Sequence, residues 1–515
     1  MNRGSQASKV GKHLHHFHGG LRLRHNKWIS CQNAVEKPPM PGQLIVPLLQ
    51  HAGETAGSMV KAGDHVLKGQ QIGPCMDPFG NGRPCVAIHA PTSGHVEAVE
   101  DRPMTHPSGR SGPCVVIRPD GKDQRFDLQP IEVWRSASHD SLIEQLQRCG
   151  IAGLGGAVFP THTKTRDGRE RKIHTLILNG AECEPYISCD EMLMREQPDR
   201  ILLGARILRR AMGAEHTVIA IEDQMGAVYE ALAYAAKHSD CVNVSVVRVA
   251  KIYPEGGERQ LIKVLTGLEV PAGGRPSDLG LVCQNVATAA AAAEAVVTGK
   301  PLIERYITVT GNGIAEPRNL LALIGTPFYH LVDVCGGYTE DVARLVVGGP
   351  MMGFPVASDA TPVVKASNCI LALAQRDIAV PQVEMPCIRC GECARACPAS
   401  LLPQQLHVQI KNGLWDQAEE YGVSACIECG CCDFVCPSHI PLVQWFRYGK
   451  GELQQRALES AATGQARQRF EAREARLLRK QQERAEKMAR RKQMLQEKAR
   501  MKRAASDGNG DTDDT

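Results

Sequence analysis

Two cysteine runs near residue 400 constrain this chain more than any other feature. The first, CIRCGECARACP, spans residues 387–398, and the second, CIECGCCDFVCP, spans residues 426–437. Both fit the spacing C-x2-C-x2-C-x3-C-P, in which three close thiolates can wrap one corner of a metal group while the proline turns the chain away. The first twenty residues hold no apolar signal segment, so we expect a cytoplasmic chain whose twenty cysteines are metal ligands and buried thiols.

The repeated spacing predicts two [4Fe–4S] clusters. In two-cluster ferredoxins the first three cysteines of each run hold one cluster, and the fourth ligates the other. The predicted ligand sets are Cys387, Cys390, Cys393 and Cys436 for one cluster, and Cys426, Cys429, Cys432 and Cys397 for the other. Cys431 is interpreted as a neighbour that is not a ligand. The alternative is two zinc sites, although zinc usually binds C-x2-C pairs that are separated by a longer loop.

The middle of the chain predicts an α/β domain over residues 139–304. Apolar, β-branched runs at 173–179, 216–222 and 242–250 suit buried parallel strands, and helical periods such as 199–213 lie between them. This alternation predicts a doubly wound, Rossmann-like sheet. In such a sheet, ligands bind at the carboxyl ends of the strands.

A glycine-dense segment, CGIAGLGGAVFPT at residues 149–161, lies at the start of this domain and precedes Lys164. Glycines let backbone N–H groups approach an anionic phosphate closely, although many such loops are only turns. The first predicted strand ends in NGAECEPY, residues 179–186. Together the two stretches resemble the flavin- and NADH-binding subunit of respiratory complex I, in which a G-x-G-G-x-x-F-P loop and a following Lys hold FMN and an N-x-x-E-x-E-P segment follows.

Two further segments match that family in the same order. YPEGGE at 253–258 resembles its Y-x-x-G-E-E, with Gly257 in place of the first glutamate, and QNVAT at 284–288 resembles its N-N-V-E-T, with Gln284 in place of the first asparagine. The resemblance implies that FMN is bound by Gly153, Gly155, Gly156, Lys164, Asn179, Glu182 and Asn285. It implies that NAD(H), as substrate, lies beside Phe159, Glu184 and Glu258, with the two glutamates as candidate catalytic residues.

The remaining segments extend the resemblance beyond complex I. Residues 40–125 resemble a barrel-sandwich domain of the biotinyl or lipoyl type, without the carrier lysine. Residues 305–357 resemble a β-grasp module of the SLBB type, and residues 380–447, with a helical spacer between the cysteine runs, resemble an α-helical two-cluster ferredoxin domain. This multidomain α/β arrangement resembles the RnfC family, the C subunits of Rnf (Rsx) ion-translocating oxidoreductases, over roughly residues 15–450. The opening FHGG at 17–20 is also similar to the start of that family.

The two ends of the chain carry less information. His13, His15, His16 and His18, in the N-terminal segment 1–39, indicate a mobile stretch rather than a metal site. In the tail, 451–515, residues 465–503 hold fifteen Lys/Arg and five Asp/Glu, a net charge of +10. This composition favours helix, but the weak apolar stripe makes a stable lone helix doubtful, and the last ten residues are expected to be disordered.

Three functions could use the tail. A solvated or partner-binding helix is the default, and binding to anionic lipid or to RNA is the alternative. Few aromatic residues interrupt the basic ones, which counts against nucleic-acid recognition, so no nucleic-acid partner is expected. The most apolar stretch, 286–297, is too short and too polar to span a membrane.

The resemblance to the RnfC family implies a function. It implies a peripheral electron-entry subunit on the cytoplasmic side of the bacterial inner membrane, with membrane and ferredoxin-like subunits of the same complex as partners. Electrons would pass between NADH and ferredoxin-type carriers by way of FMN and two [4Fe–4S] clusters, and the complex would couple this transfer to ion movement. The alternatives are a flavin and iron–sulfur cobalamin reductase of a bacterial microcompartment, and a nucleic-acid-binding protein with structural metals.

Overall fold

An antiparallel sheet forms the domain that follows the N-terminal segment. The computed structural model describes residues 10–50, 53, 55–75, 85–238, 242–378 and 383–507. The first six strands are β1 (Leu44–Pro47), β2 (His65–Val66), β3 (Gln71–Gly73), β4 (Ile88–His89), β5 (Gly94–Pro103) and β6 (Ser111–Pro119). They form a four-stranded sheet in the order β1-β6-β5-β2 and a separate β3-β4 pair. The predicted strand segments 60–73 and 88–100 fall on β2–β3 and β4–β5.

A disulfide next to the β3-β4 pair corrects one expectation. Cys75 and Cys85 form a disulfide with their Cα atoms 5.2 Å apart, so the prediction that cysteines outside the two runs are thiols is wrong for this pair. Because β3 and β4 pair antiparallel, the chain that leaves β3 lies beside the chain that enters β4. Cys75 follows β3 and Cys85 precedes β4, so the two cysteines lie within bonding reach.

Four parallel strands form the centre of the next domain. They are β7 (Thr175–Gly180), β8 (His216–Glu222), β9 (Val244–Val249) and β10 (Leu281–Asn285), in the order β10-β7-β8-β9. The helices around them are α1 (His139–Arg148), α2 (Thr161–Glu170), α3 (Cys189–Glu196), α4 (Pro198–Met212), α5 (Gly226–His238), α6 (Glu258–Thr266) and α7 (Val286–Val297). The three predicted strand runs correspond to β7, β8 and β9, and the predicted helix 199–213 corresponds to α4.

Helices cover both faces of this parallel sheet because side chains alternate along each strand. Leu176 and Leu178 of β7 lie in a core with α4 and α7. Ile177, between them, lies in a second core with α6 on the opposite face. The helices α4 and α7 approach closely at Gly204, where an added Cβ would lie 1.8 Å from the Ala289 carbonyl oxygen.

The third domain is a mixed five-stranded sheet with one helix. Its strands are β11 (Glu304–Thr310), β12 (Arg318–Leu323), β13 (Val342–Val347), β14 (Phe354–Pro355) and β15 (Cys369–Ala374), in the order β12-β11-β15-β13-β14, and its helix is α8 (Phe328–Val334). The sheet continues past the expected boundary at residue 357, because β15 is its central strand. The apolar run CILALA of β15 pairs with β11 and β13 on its two sides.

The cysteine runs lie in a helical domain. Its helices are α9 (Glu392–Ala396), α10 (Pro403–Lys411), α11 (Trp415–Glu420), α12 (Cys431–Phe434) and α13 (Leu442–Asp507), and α10 and α11 occupy the spacer that was predicted to be helical. Short 3-10 turns at Lys27–Ile29, Pro276–Leu279, Gln375–Asp377 and Val423–Ala425 complete the regular structure. Leu406, Ile410 and Phe446 pack in the core of this domain.

The helix α13 continues through the basic tail, although the sequence made a stable lone helix there doubtful. From residue 454 to residue 504 every side chain is exposed. Most of the terminal stretch that was expected to be disordered, residues 508–515, lies outside the described residues. Within the described part of the chain, no helix combines the length and the apolar character that crossing a membrane requires.

The N-terminal segment is ordered from residue 10, so the expectation of a mobile stretch is wrong there. Its backbone N–H groups at Gly11 and His15 donate to carbonyl oxygens at the end of α6, each at 2.9 Å. Leu21 and Tyr253 exchange two backbone hydrogen bonds, of 2.7 and 2.9 Å. These partners are more than 200 residues away in sequence, which is why local composition could not predict the order.

Candidate metal and cofactor sites

The eight predicted cluster ligands line two separate cavities. The inner cavity contains Cys397, Cys426, Cys429 and Cys432, and the outer cavity contains Cys387, Cys390, Cys393 and Cys436. Each cavity thus combines three cysteines of one run with the fourth cysteine of the other, which is the grouping that the crossover pattern predicts. Cys431 also lines the inner cavity and is fully buried.

The distances between the cysteine sulfur atoms help to distinguish a site for an iron–sulfur cluster from a site for a single zinc ion. Tetrahedral zinc, with Zn–S bonds of about 2.3 Å, would hold its sulfurs about 3.8 Å apart. In the part of the chain that the structure describes, the one trio of ligand atoms that lie within 4.8 Å of one another is Glu182, Cys189 and Asp190. Among the described residues, no three cysteine sulfurs of either cavity lie that close together, which favours the larger [4Fe–4S] group over one zinc ion.

The two cysteine runs adopt matching backbone turns. Arg389 and Glu428, each just before the second cysteine of its run, have φ values of 59° and 57°. Gly391 and Gly430, just after that cysteine, both have a φ of 78°, a conformation that favours glycine. Backbone N–H groups also point at sulfur, since Leu401 N lies 3.4 Å from Cys397 Sγ. Such donors stabilise ligated thiolates and tune cluster potentials.

The inner cavity is packed against the domain with the four parallel strands, which we call the flavin-like domain because the sequence predicts that it binds FMN. The Tyr253 hydroxyl donates to the Cys429 carbonyl oxygen at 2.6 Å, and Gln260 Nε2 donates to the Pro398 carbonyl oxygen at 3.3 Å. The N-terminal segment adds His18 Nδ1, which lies 2.9 Å from the Cys397 carbonyl oxygen. Sequence reasoning assigned no role to Tyr253, which is 1% exposed and packs against Cys429 and Cys431.

The outer cavity has different surroundings. Its lining residues all belong to the ferredoxin domain, between Cys387 and Leu442. Cys387 and Cys390 are exposed. The neighbouring apolar side chains Val383, Met385 and Ile388 are more than half exposed. Two cysteines of the outer cavity are therefore accessible to solvent, and the exposed apolar side chain of Ile388 lines the cavity beside them.

The glycine loop lies at the carboxyl end of the parallel sheet. Asn179 and Asn285 are register partners at the ends of β7 and β10. A Cβ added at Gly155 would lie 3.1 Å from Asn285 Cβ, which places the loop against these strand ends. Gly156, with φ of 69°, has open space where its Cβ would be. Phosphate can approach backbone N–H groups in such a place.

The two asparagines hold the surrounding backbone. Asn179 Nδ2 donates to the Gly256 carbonyl oxygen at 2.8 Å. Asn285 Oδ1 accepts the Ala287 N–H at 2.8 Å, and so caps the start of α7, while its Nδ2 lies 2.5 Å from Asp190 Oδ2. Burial, then the charge of Glu182, raises the pKa of Asp190 to about 7. Asn179 and Asn285 therefore lie side by side at the strand ends, with Asp190 in contact with Asn285.

The residues that were predicted to meet the dinucleotide fall in separate groups. Glu258 Oε1 lies 2.5 Å from Nζ of Lys164, so the structure brings together one side chain predicted for NAD(H) and one predicted for FMN. Glu184 Oε1 instead accepts the N–H groups of Met351 and Met352 at 2.7 and 3.0 Å, and burial raises the pKa of its carboxyl. Phe159 is 37% exposed at the mouth of the glycine loop.

Glu182 is held by backbone donors of α3. Its carboxylate accepts the N–H groups of Asp190 and Glu191 at 3.0 and 3.3 Å. A buried lysine that the sequence did not single out, Lys27, contacts both the carbonyl oxygen and the carboxylate of Glu182. Burial by itself would lower the pKa of Lys27, but the charges of Glu182 and Glu222 raise it above its usual value.

Glu222 completes this buried group. Its carboxylate lies 4.0 Å from Lys27 Nζ, and burial raises its pKa to about 7 although the lysine lowers it. Glu222 is the last residue of β8, and a polar residue at that strand end could have been recognised as part of a ligand site. No sequence signal marked Lys27, because it reaches the site from the N-terminal segment.

Family models match the four domains separately. The RnfC barrel sandwich hybrid domain matches residues 15–122, and the Nuo51 FMN-binding domain matches residues 146–294. The SLBB domain matches residues 306–355, and the 4Fe-4S dicluster domain matches residues 381–453. The chain is thus a mixed α/β multidomain protein with these four domains. Among solved structures, an NAD+-reducing [NiFe]-hydrogenase in the H2-reduced state aligns with 59% of this chain and 61% of its own, at 21% identity and a TM-score of 0.43.

Relatives named as the C subunit of an ion-translocating oxidoreductase complex match along most of the chain. The protein from Pseudomonas aeruginosa is 44% identical over 92% of this chain and 60% of its own length, and one from Vibrio cholerae is 44% identical over 95% and 63%. This chain therefore spans less than two thirds of the length of these two relatives. The protein from Yersinia pestis is 43% identical over 90% of this chain and 73% of its own. The chain belongs to the RnfC family, the C subunits of ion-translocating oxidoreductase complexes.

Proposed function

We propose that this chain transfers electrons between NADH and the other subunits of a membrane-bound, ion-translocating complex. The proposed carriers are FMN and two [4Fe–4S] clusters, and the proposed location is the cytoplasmic side of the inner membrane. The observation that carries the proposal is the inner cavity, whose cysteines pack against the domain that matches an FMN-binding model. The names of the relatives favour this function over a microcompartment cobalamin reductase.

The described residues fit FMN at the glycine loop. The open space at Gly156 admits a phosphate, Lys164 supplies a nearby cation, and Asn179 and Asn285 fix the strand ends beneath. FMN, when bound, supplies the exchange between a two-electron donor and one-electron carriers. Glu258, paired with Lys164 at the partly exposed side of the site, is the side chain best placed to meet an entering dinucleotide.

The surroundings of the cavities favour one order of transfer. The inner cavity adjoins the flavin-like domain through Tyr253, and the outer cavity exposes Cys387 and Cys390. We therefore assign the inner cluster to exchange with the flavin and the outer cluster to exchange with another protein of the complex. The exposed apolar side chains of Val383, Met385 and Ile388, all close in sequence to Cys387, suit a protein partner that would bury them.

The purified chain under anaerobic conditions tests this function. We expect a broad absorption near ~400 nm that bleaches on addition of NADH, with bound FMN and iron. A colourless protein that contains zinc would contradict the proposal, and so would a coloured protein that NADH does not reduce.

The variant Lys164→Met sharpens the flavin assignment. We expect it to raise the Kd for FMN roughly tenfold or more, as loss of one charge-assisted contact would. The matched control is Lys237→Met, since Lys237 is an exposed lysine on α5. An equal FMN affinity in both variants would contradict the placement of FMN beside Lys164.

A further inference from the structure

The outer part of α13, beyond the contact of Arg456 with the Trp415 ring, has exposed side chains up to residue 504. The first turns of the helix are fixed in the ferredoxin core by Leu442, Val443 and Phe446. From residue 454 to residue 504 all side chains are exposed. At 1.5 Å per residue, this part of the helix extends roughly 80 Å beyond the domain. Most helices are stabilised by packing of one face, so an exposed helix of this length has a surface available to a partner.

The charges on this helix are distributed unevenly around its axis. With 100° per residue, nine of its basic residues fall within an arc of about 80°. We call them the basic ridge: Arg469, Arg473, Arg476, Lys480, Arg484, Lys487, Arg491, Lys498 and Lys502. The acidic residues between residues 465 and 503 all lie outside that arc: Glu471, Glu474, Glu483, Glu486 and Glu497. The net charge of this stretch is therefore concentrated on one side.

An apolar stripe runs directly beside the basic ridge. It consists of Phe470, Leu477, Met488 and Leu495, which fall within an arc of about 20°. Each of these side chains is at least half exposed, from 50% for Leu477 to 69% for Met488. One face of the helix therefore presents a line of apolar side chains next to a line of cations.

We propose that this face of α13 binds the surface of a bilayer that contains anionic phospholipids. The basic ridge would contact the headgroups, and the apolar stripe would enter the boundary between headgroups and acyl chains. A coiled coil fits less well, because Glu474, Gln481 and Lys492 are polar where a heptad seam needs apolar residues. Single-stranded RNA fits less well too, because Phe470 is the one aromatic residue among residues 465–503.

The proposed contact would also position the clusters. Lys450, two turns into α13, donates from Nζ to the Cys426 carbonyl oxygen at 2.6 Å, so the helix is anchored beside the inner cavity. A helix that lies on the bilayer would hold the ferredoxin domain near the membrane surface. The proposal does not depend on the proposed electron transfer, because vesicle binding is measured without NADH.

Co-sedimentation of the full chain with lipid vesicles tests the proposal. We expect binding to vesicles of phosphatidylcholine with phosphatidylglycerol, little binding to phosphatidylcholine alone, and weaker binding as salt rises. The test variant reverses four ridge charges: Arg476→Glu, Lys480→Glu, Arg484→Glu and Lys487→Glu. Because each basic residue near an anionic surface contributes about fivefold, its affinity should fall roughly 100-fold or more.

A matched variant reverses four charges outside the basic ridge: Arg479→Glu, Arg490→Glu, Lys492→Glu and Arg500→Glu. It changes the net charge equally and should lose much less affinity. Similarly, Leu477→Gln with Met488→Gln should weaken binding more than Leu478→Gln with Met501→Gln. Circular dichroism and cluster absorption check that each variant folds. No binding to anionic vesicles, equal losses from the two charge variants, or binding to single-stranded RNA without binding to vesicles would overturn the proposal.

Discussion

The inner and outer cavities are built from the same cysteine spacing and the same turns, yet they meet different surroundings. Residues from two other parts of the chain, Tyr253 and His18, contact the backbone of the inner ligands. The outer cavity is lined by its own domain alone and exposes Cys387 and Cys390. The repeated motif therefore supplies two equivalent candidate metal sites, and the long-range contacts of the chain give them different positions on the proposed electron path.

The largest expected effect comes from removing one ligand of each cavity. Cys429→Ser and Cys390→Ser should each lower the iron content from about eight to about four atoms per chain. Both should reduce electron delivery to an external acceptor at least ~100-fold, since the path is broken at either position. Cys431→Ser is the control, and it should keep all the iron. Iron analysis and acceptor reduction are the measurements, and loss of a cluster from Cys431→Ser would show that Cys431 is a ligand.

Removing the buried ion pairs of Lys27 should destabilise the flavin-like domain. Lys27→Met leaves Glu182 and Glu222 buried without their cation, which costs about 3–5 kcal/mol when a buried ion pair is broken. Calorimetry should show a lower Tm for the transition of the flavin-like domain. Lys37→Met is the matched control, because Lys37 is 70% exposed and its pair with Glu304 should matter little. Equal shifts in the two variants would contradict the role of Lys27.

The pH dependence of the same domain should depend on Glu222. Its pKa in the folded chain, about 7, lies above its ordinary value of 4.5, so the folded state holds this proton more tightly. The stabilisation is complete below the ordinary pKa and is lost as pH rises through 7, by about 3 kcal/mol in all. Tm should therefore fall between pH 5 and pH 8, and Glu222→Gln should flatten this fall. If the variant showed the same fall in Tm, the pH dependence would have to come from a group other than Glu222.

A smaller effect is expected at the contact between the flavin-like domain and the inner cavity. Tyr253→Phe keeps the buried ring and removes the 2.6 Å hydrogen bond to Cys429, which should cost about 1 kcal/mol. NADH-driven bleaching of the clusters should slow a few-fold at most, as seen by stopped-flow absorption. The control is Tyr338→Phe, whose hydroxyl bonds to Asp359 in the SLBB domain and should leave the rate unchanged. Equal rates in the two variants would show that the Tyr253 hydroxyl has no part in electron transfer to the clusters.

Features that depend on local pattern could be predicted from the sequence. The spacing of the cysteines determined which four would line each cavity, because short turns between ligands are fixed by a few residues. The strands β7, β8 and β9 follow from their apolar runs, and the pairing of Asn179 with Asn285 follows from the rule that parallel strands end at one edge.

Features that depend on distant partners could not be predicted. Lys27 reaches Glu182 and Glu222 because the N-terminal segment pairs with Tyr253, which lies far along the chain. The disulfide of Cys75 and Cys85 depends on the pairing of β3 with β4, and the place of β15 in its sheet depends on two separate neighbours. Glu184 is held by Met351 and Met352 of another domain, which no nearby residue indicates.

The proposed order of transfer is tested most directly in the two cysteine variants that each keep one cluster. The measurement is the rate at which NADH reduces that remaining cluster. Freeze-quench electron paramagnetic resonance can follow that cluster alone. In Cys390→Ser, which keeps the inner cluster, we predict reduction as fast as in the parent chain. In Cys429→Ser, which keeps the outer cluster, we predict that the cluster stays oxidised on the same timescale. Fast reduction of the outer cluster in Cys429→Ser would contradict the assignment of the inner cavity as the partner of the flavin.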